Sequence, residues 1–212
     1  MSKFVAFLSV CFVVMAANAQ TPPAPTFDVF DGCGLSGTAK SASLKHLNQL
    51  KNRYTLPKDG DVNQSITLSA MLAPGDDRSR WSSTNAAEVT GYVLDVKPGG
   101  PETCNCRKTD AVHSDTHIEL VLHSTDTSMT QSVVVEVTPR LRALLQGSGT
   151  DWSTKTLRKK FRHKWIKVRG WMLFDAQHAN AAENTDSAGA QNWRATAWEI
   201  HPVTEIQFAA PH

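Results

Sequence analysis

The sequence predicts a mainly β fold: five strands after residue 85, a short helix between the third and the fourth, and a partly helical extension in front. Three observations carry this. The five runs are rich in branched and aromatic residues that alternate with polar ones. One segment between them has Pro at its start and Gly just past its end, the two marks of a short helix. The 212-residue chain is also of a size that supports one core of ordinary dimensions plus an extension, not two large domains.

The chain opens with Lys3, an apolar run from Phe4 to Ala16, and Ala17-Asn18-Ala19 before Gln20. That is the charge, core and small-residue order of a secretory signal peptide, so residues 1–19 are read as removed and the protein as secreted or periplasmic. The run is too short for a membrane span, and no later stretch approaches the roughly 20 apolar residues a span needs. Residues 20–40 begin with "TPPAPTF" and read as an extended leader. In "SASLKHLNQLKNRY" (41–54), Leu44, Leu47 and Leu50 recur at helical spacing and Pro57 ends the pattern. This helix belongs to an N-terminal extension, 41–85, whose part from 57 onward has mixed signals and receives no assignment.

The β runs are "AEVTGYVLDVK" (87–97), "HIELVLHS" (117–124), "SVVVEVT" (132–138), "KWIKVRGWMLFD" (164–175) and "ATAWEIHPVTEIQF" (195–208). "PRLRALLQ" (139–146) is the helix between the third and the fourth, with Gly147 after it. This order resembles the OB-fold, a five-stranded Greek-key barrel, over residues 86–208. "NWRATAWEIHPVT" reads like a signature of uncharacterised exported bacterial proteins. The resemblance implies tight bends at Gly91 and Gly170. It also implies a ligand face on the second and third strands, flanked by the loops 98–114 and 176–194, but no particular activity.

Alternation places Ile118, Leu120 and Leu122 of the second strand inside such a barrel, and His117 and Glu119 outside. Val133, Val135, Val137, Trp198 and Ile200 point inward by the same rule, leaving Glu136, Glu199 and His201 outside. If the third strand lies between the second and the fifth, these exterior imidazoles and carboxylates share one face. His117, Glu119, Glu199 and His201 are therefore candidate metal ligands or acid/base groups, with Asp115, Asp175 and His178 as auxiliaries at loop ends. The competing expectation is a solvated polar face, which exterior strand positions have by default.

"RKKFRHKWIKVRGW" (158–171) interleaves cations with rings, as surfaces that hold single nucleic-acid strands do. Lys167 and Arg169 are candidate ligand contacts from this stretch, and Trp193 and Arg194 from the second long loop. Lys and Arg number 22 against 20 Asp and Glu, so net charge exerts no global pull toward nucleic acid or an anionic membrane. After loss of Cys11, three cysteines remain in an oxidising compartment; Cys33 is expected to pair with Cys104 or Cys106, against a rival metal site of Cys104, Cys106 and His113.

No nucleophile elbow, P-loop, dinucleotide fingerprint or C-x-x-C motif is present. No motif requires a cofactor, although the His/Glu face would accept a divalent metal. Three functions follow as expectations: a binding protein for an oligosaccharide or a single nucleic-acid strand, a metal-dependent hydrolase of nuclease-like type, or a structural module docking through Leu44, Leu47 and Leu50. Oligomeric state is not legible.

Overall fold

The computed structural model describes residues 27–211; the expected signal peptide at 1–19 and the start of the expected leader lie outside them. A small hairpin, β1 (Val29–Phe30) and β2 (Cys33–Gly34), leads into α1 (Ala42–Lys51) and α2 (Leu68–Leu72). The barrel strands are β3 (Ala86–Pro98), β4 (Thr116–Val121), β5 (Val133–Val137), β6 (Trp165–Phe174) and β7 (Trp198–Phe208). They close in the order β3-β4-β5-β7-β6, with β5 and β7 parallel and every other neighbour antiparallel. The expected mainly β, OB-fold-like barrel is the architecture found.

Alternation sets the barrel interior. Ile118, Leu120, Val133, Val135, Val137, Trp198 and Ile200 all belong to one buried cluster, joined by Val93, Val168 and Met172 from β3 and β6. Gly170 lies at a register shift between β6 and β7, where a Cβ would run into the backbone of Pro202. Gly91 has a different reason from the expected bend. The side chain of Leu68 in α2 occupies the space its Cβ would need, 2.6 Å away.

α3 (Pro139–Gln146) coincides with its expected bounds, and its N-cap Thr138 accepts a hydrogen bond from the Leu141 amide. A second helix, α4 (Thr154–Phe161), corrects the reading of the basic stretch as wholly loop and strand. Its apolar stripe is one i,i+4 pair, Leu157 and Phe161, too thin to stand out among the cations. Arg158, Lys159 and Lys160 sit in its last turn, where the helix dipole favours positive charge.

α1 docks by its polar side. Asn48 and Lys51 are its buried residues, whereas Leu44, Leu47 and Leu50 are half-buried. The surface it meets is loop backbone, which must be matched by donors. Asn48 donates to Ser36 O and Thr103 Oγ1, and the next residue after the helix, Asn52, donates to Leu35 O and Cys104 O. A disulfide between Cys33 and Cys106 fastens the same loop to the hairpin, and Cys104 stays free and buried.

These attachments have a consequence for the outer face of β4, β5 and β7. His117, Glu119, Glu136, Glu199 and His201 point out of the barrel as alternation requires, yet none reaches the surface: all are at most 8 % exposed. Loop 98–114, loop 176–194 and α1 lie over them. The face expected to be solvated is a second interior, and it is polar.

Candidate metal centre

Sheet register builds the centre. His117 on β4 lies directly opposite Glu136 on β5, and the parallel pairing of Val135 with Ile200 sets Glu199 and His201 of β7 on the other side of Glu136. Glu136 Oε1 is 3.1 Å from His117 Nε2, and Oε2 is 3.3 Å from His201 Nδ1. His201 Nδ1 also meets Glu199 Oε2 at 3.2 Å.

The covering segments contribute the remaining charges. Lys51 of α1 reaches Glu102 at 2.6 Å and Asp175 at 3.1 Å, with its side chain 1 % exposed. Asp175 also bonds His178 Nδ1 at 2.7 Å. Arg194, fully buried, pairs with Glu199 at 2.5 Å and lies against the Trp193 ring. That ring stacks on His117, meets His178 edge-on and carries Lys97 on its face, so Trp193 forms a cap across the centre. On the other flank Gly99 brings backbone against His117, where any Cβ would stand 2.8 Å from Nε2.

Asp115, at the start of β4, accepts from Asn105 through Oδ2 and faces the cluster with Oδ1. Glu119 stands apart from the rest, held by Lys97 at 2.9 Å and by Ser132.

The electrostatics are those of excess buried negative charge. Glu102, Asp115, Glu136, Asp175 and Glu199 crowd one volume; among the described residues Lys51 and Arg194 are the permanent cations in contact with them, and His117, His178 and His201 add charge only when protonated. Burial drives the Glu136 carboxyl well above the usual carboxylate range, and repulsion from Glu199, Glu102 and Asp115 adds to it. Asp115 is pushed up to about 6, by burial first and then by Glu102, against the pull of His201. Burial lowers His117 to about 3, so its imidazole is neutral at ordinary pH. Burial also opposes charge on Asp175, but Lys51 and the His178 hydrogen bond outweigh it and hold that carboxyl far below normal.

Several of these buried atoms make no aligned hydrogen bond: both ring nitrogens of His117, Nε2 of His201, Oε2 of Glu136 and Oδ1 of Asp115, although His117 Nε2 and Glu136 Oε2 each lie within ion-pair distance of an opposite group. Such atoms are rare and costly in a folded interior. They also converge. Glu102, His117 and Glu136 can each offer a donor within 4.8 Å of the others, and so can Asp115, Glu136 and His201, and Asp175, His178 and Glu199. A neutral imidazole with carboxylate oxygens is a donor set suited to zinc or manganese.

Of the residues singled out in the sequence, His117, Glu199 and His201 come together here, with Asp115, Asp175 and His178 alongside; Glu119 does not join them. Trp193 and Arg194 cover the centre, while Lys167 and Arg169 form ion pairs elsewhere, with Glu88 and Asp59. Glu136 stood on the expected face but outside the expected ligand set, although its position opposite His117 follows from register. Glu102 and Lys51 carry no signal in the sequence; their pairing spans 51 residues and depends on how the extension docks. The Cys104 thiol lies 3.2 Å from Glu102, and the rival set of Cys104, Cys106 and His113 is ruled out by the disulfide at Cys106.

No protein-family model matches the chain, and a search of curated proteins finds no similar sequence.

Proposed function

We propose that the chain binds a divalent cation on the covered face of its barrel and uses it in hydrolysis. The carrying observation is that buried donor atoms of His117, Asp115, Glu136 and His201, lacking aligned hydrogen bonds, converge in a volume with excess negative charge. A divalent cation satisfies both deficits at once, supplying charge and accepting lone pairs. Each of the groups built on Glu136 offers one imidazole and two carboxylates. Three protein ligands of this kind, with a position left for water, mark catalytic zinc sites; closed thiolate-rich sets mark structural ones.

His178 suits a proton-transfer role. Its side chain is 36 % exposed at the rim, and the hydrogen bond it donates to Asp175 raises its pKa above the ordinary histidine value. A cleft of about 480 Å³ lined by Ala176 and Gln177 opens beside it on loop 176–194 and gives a substrate a place to approach.

Binding of an oligosaccharide or a single nucleic-acid strand across β4 and β5 is the second reading, favoured by the Trp193 ring beside Lys97 and Arg194. It ranks lower because the face lies under both long loops, which would have to lift. Export to the periplasm or beyond accords with the disulfide and the N-terminal pattern, and N-terminal sequencing of the mature protein at Gln20 checks it.

The decisive experiment uses tag-free mature protein stripped with chelator and re-equilibrated with Zn²⁺ or Mn²⁺. Retained stoichiometric metal, and ester hydrolysis that returns with it and is absent in His201→Ala, is the expected result. Failure to retain either ion at micromolar concentration sinks the proposal.

A further inference from the structure

We propose that the centre holds two divalent cations bridged by the carboxylate of Glu136, and that its substrate is anionic, of the phosphate-ester class. This rests on the metal-binding reading and deepens it.

The two oxygens of Glu136 face different imidazoles, Oε1 toward His117 and Oε2 toward His201. Two of the groups able to converge on one point contain Glu136, one with Glu102 and His117 and the other with Asp115 and His201, and each of these two has its own imidazole; Glu102 and Asp115 also approach each other, beside Cys104. β4 and β7 flank β5 on opposite sides, so the two histidine backbones are about two strand spacings, roughly 9–10 Å, apart. One ion at about 2 Å from each imidazole would have to draw both side chains inward to a single point in front of the Glu136 carboxylate. Two ions need no such collapse. A bridging carboxylate sets them about 3.5–4 Å apart, each keeping its own histidine.

Charge selects the substrate class. Five ionised carboxylates against Lys51 and Arg194, with the histidines neutral as ligands are, leave three negative charges, so one divalent ion leaves the centre negative and two leave it positive. A positive centre with open coordination positions attracts a phosphoryl oxyanion, the group that paired cations clamp.

The test is to titrate the metal-free mature chain with Mn²⁺, count bound ions by mass spectrometry and follow their electron paramagnetic resonance. Two ions per chain with exchange-coupled spectra are expected, falling to one or none, uncoupled, in Glu136→Gln. His117→Ala and His201→Ala are each expected to keep one. Saturation at one ion, or two ions without coupling, overturns the bridged pair and leaves the metal-binding reading standing; no binding overturns both. Wild-type stoichiometry decides the matter even where a variant does not fold. Inorganic phosphate is expected to raise the melting temperature of the two-ion form and not that of Glu136→Gln; no such rise overturns the anionic substrate class.

Discussion

Glu136 is where stability and chemistry pull in opposite directions. In the metal-free protein desolvation and then the neighbouring carboxylates oppose its ionisation and push its carboxyl well above the usual range. Glu136→Gln keeps the shape and removes that burden. The variant is expected to be about 1–2 kcal/mol more stable than wild type at pH 8 without metal, by urea denaturation, while losing most of its affinity for Zn²⁺. Lys51 is the opposite case. Its ammonium is enclosed between Glu102 and Asp175, and removing one partner of a buried pair leaves the others uncompensated. Lys51→Met is expected to cost about 3–5 kcal/mol in the same measurement. Alternation announced that Glu136 points out of the barrel. It could not announce that the outside is buried, because that depends on residues far along the chain.

Among the elements, the extension acts as a roof whose fastenings are separable. The Cys33–Cys106 bond closes a loop across 73 positions, so Cys33→Ser with Cys106→Ser is expected to cost about 2–5 kcal/mol. Hydrogen exchange should quicken first in the β1–β2 hairpin and in loop 98–114, which the bond clamps together. Trp193 is the cap on the other side, with His117, His178, Lys97 and Arg194 against its ring. Trp193→Ala is expected to speed metal loss to a chelator about ten-fold, the kinetic equivalent of roughly 1.4 kcal/mol of ring contacts. An unchanged rate would show that ions enter by another route. α3 was legible from Pro139 and Gly147 because caps are local chemistry. α4 was not, since a single apolar pair is its only buried face.

At the scale of the whole molecule, the unbalanced interior makes stability depend on pH in a direction that metal reverses. Glu136 and Asp115 bind protons more tightly folded than unfolded, so their contribution is complete below the ordinary carboxylate range and is lost as pH rises, for Asp115 through about 6 and for Glu136 well above its normal value. His117 works the other way, because its folded pKa near 3 lets stability rise with pH up to the unfolded value near 6.5. Above about pH 6.5 the His117 contribution is spent, while His178, raised above the ordinary histidine value by Asp175, loses its contribution as pH climbs past that point, so the metal-free protein is expected to lose melting temperature from pH 6.5 to 8.5. Metal competes with those protons, and the Zn²⁺-saturated protein is expected to hold or gain melting temperature over the same interval. The sequence by itself determined the barrel: its strands, their inward faces and the helix between the third and fourth follow from alternation and caps, which act over a few residues. Only the tertiary structure decided that the opposite face is interior too. A roof of loops and α1, placed by the Cys33–Cys106 bond and by Lys51, converts polar positions that would cost nothing in water into a charged interior that calls for a counterion.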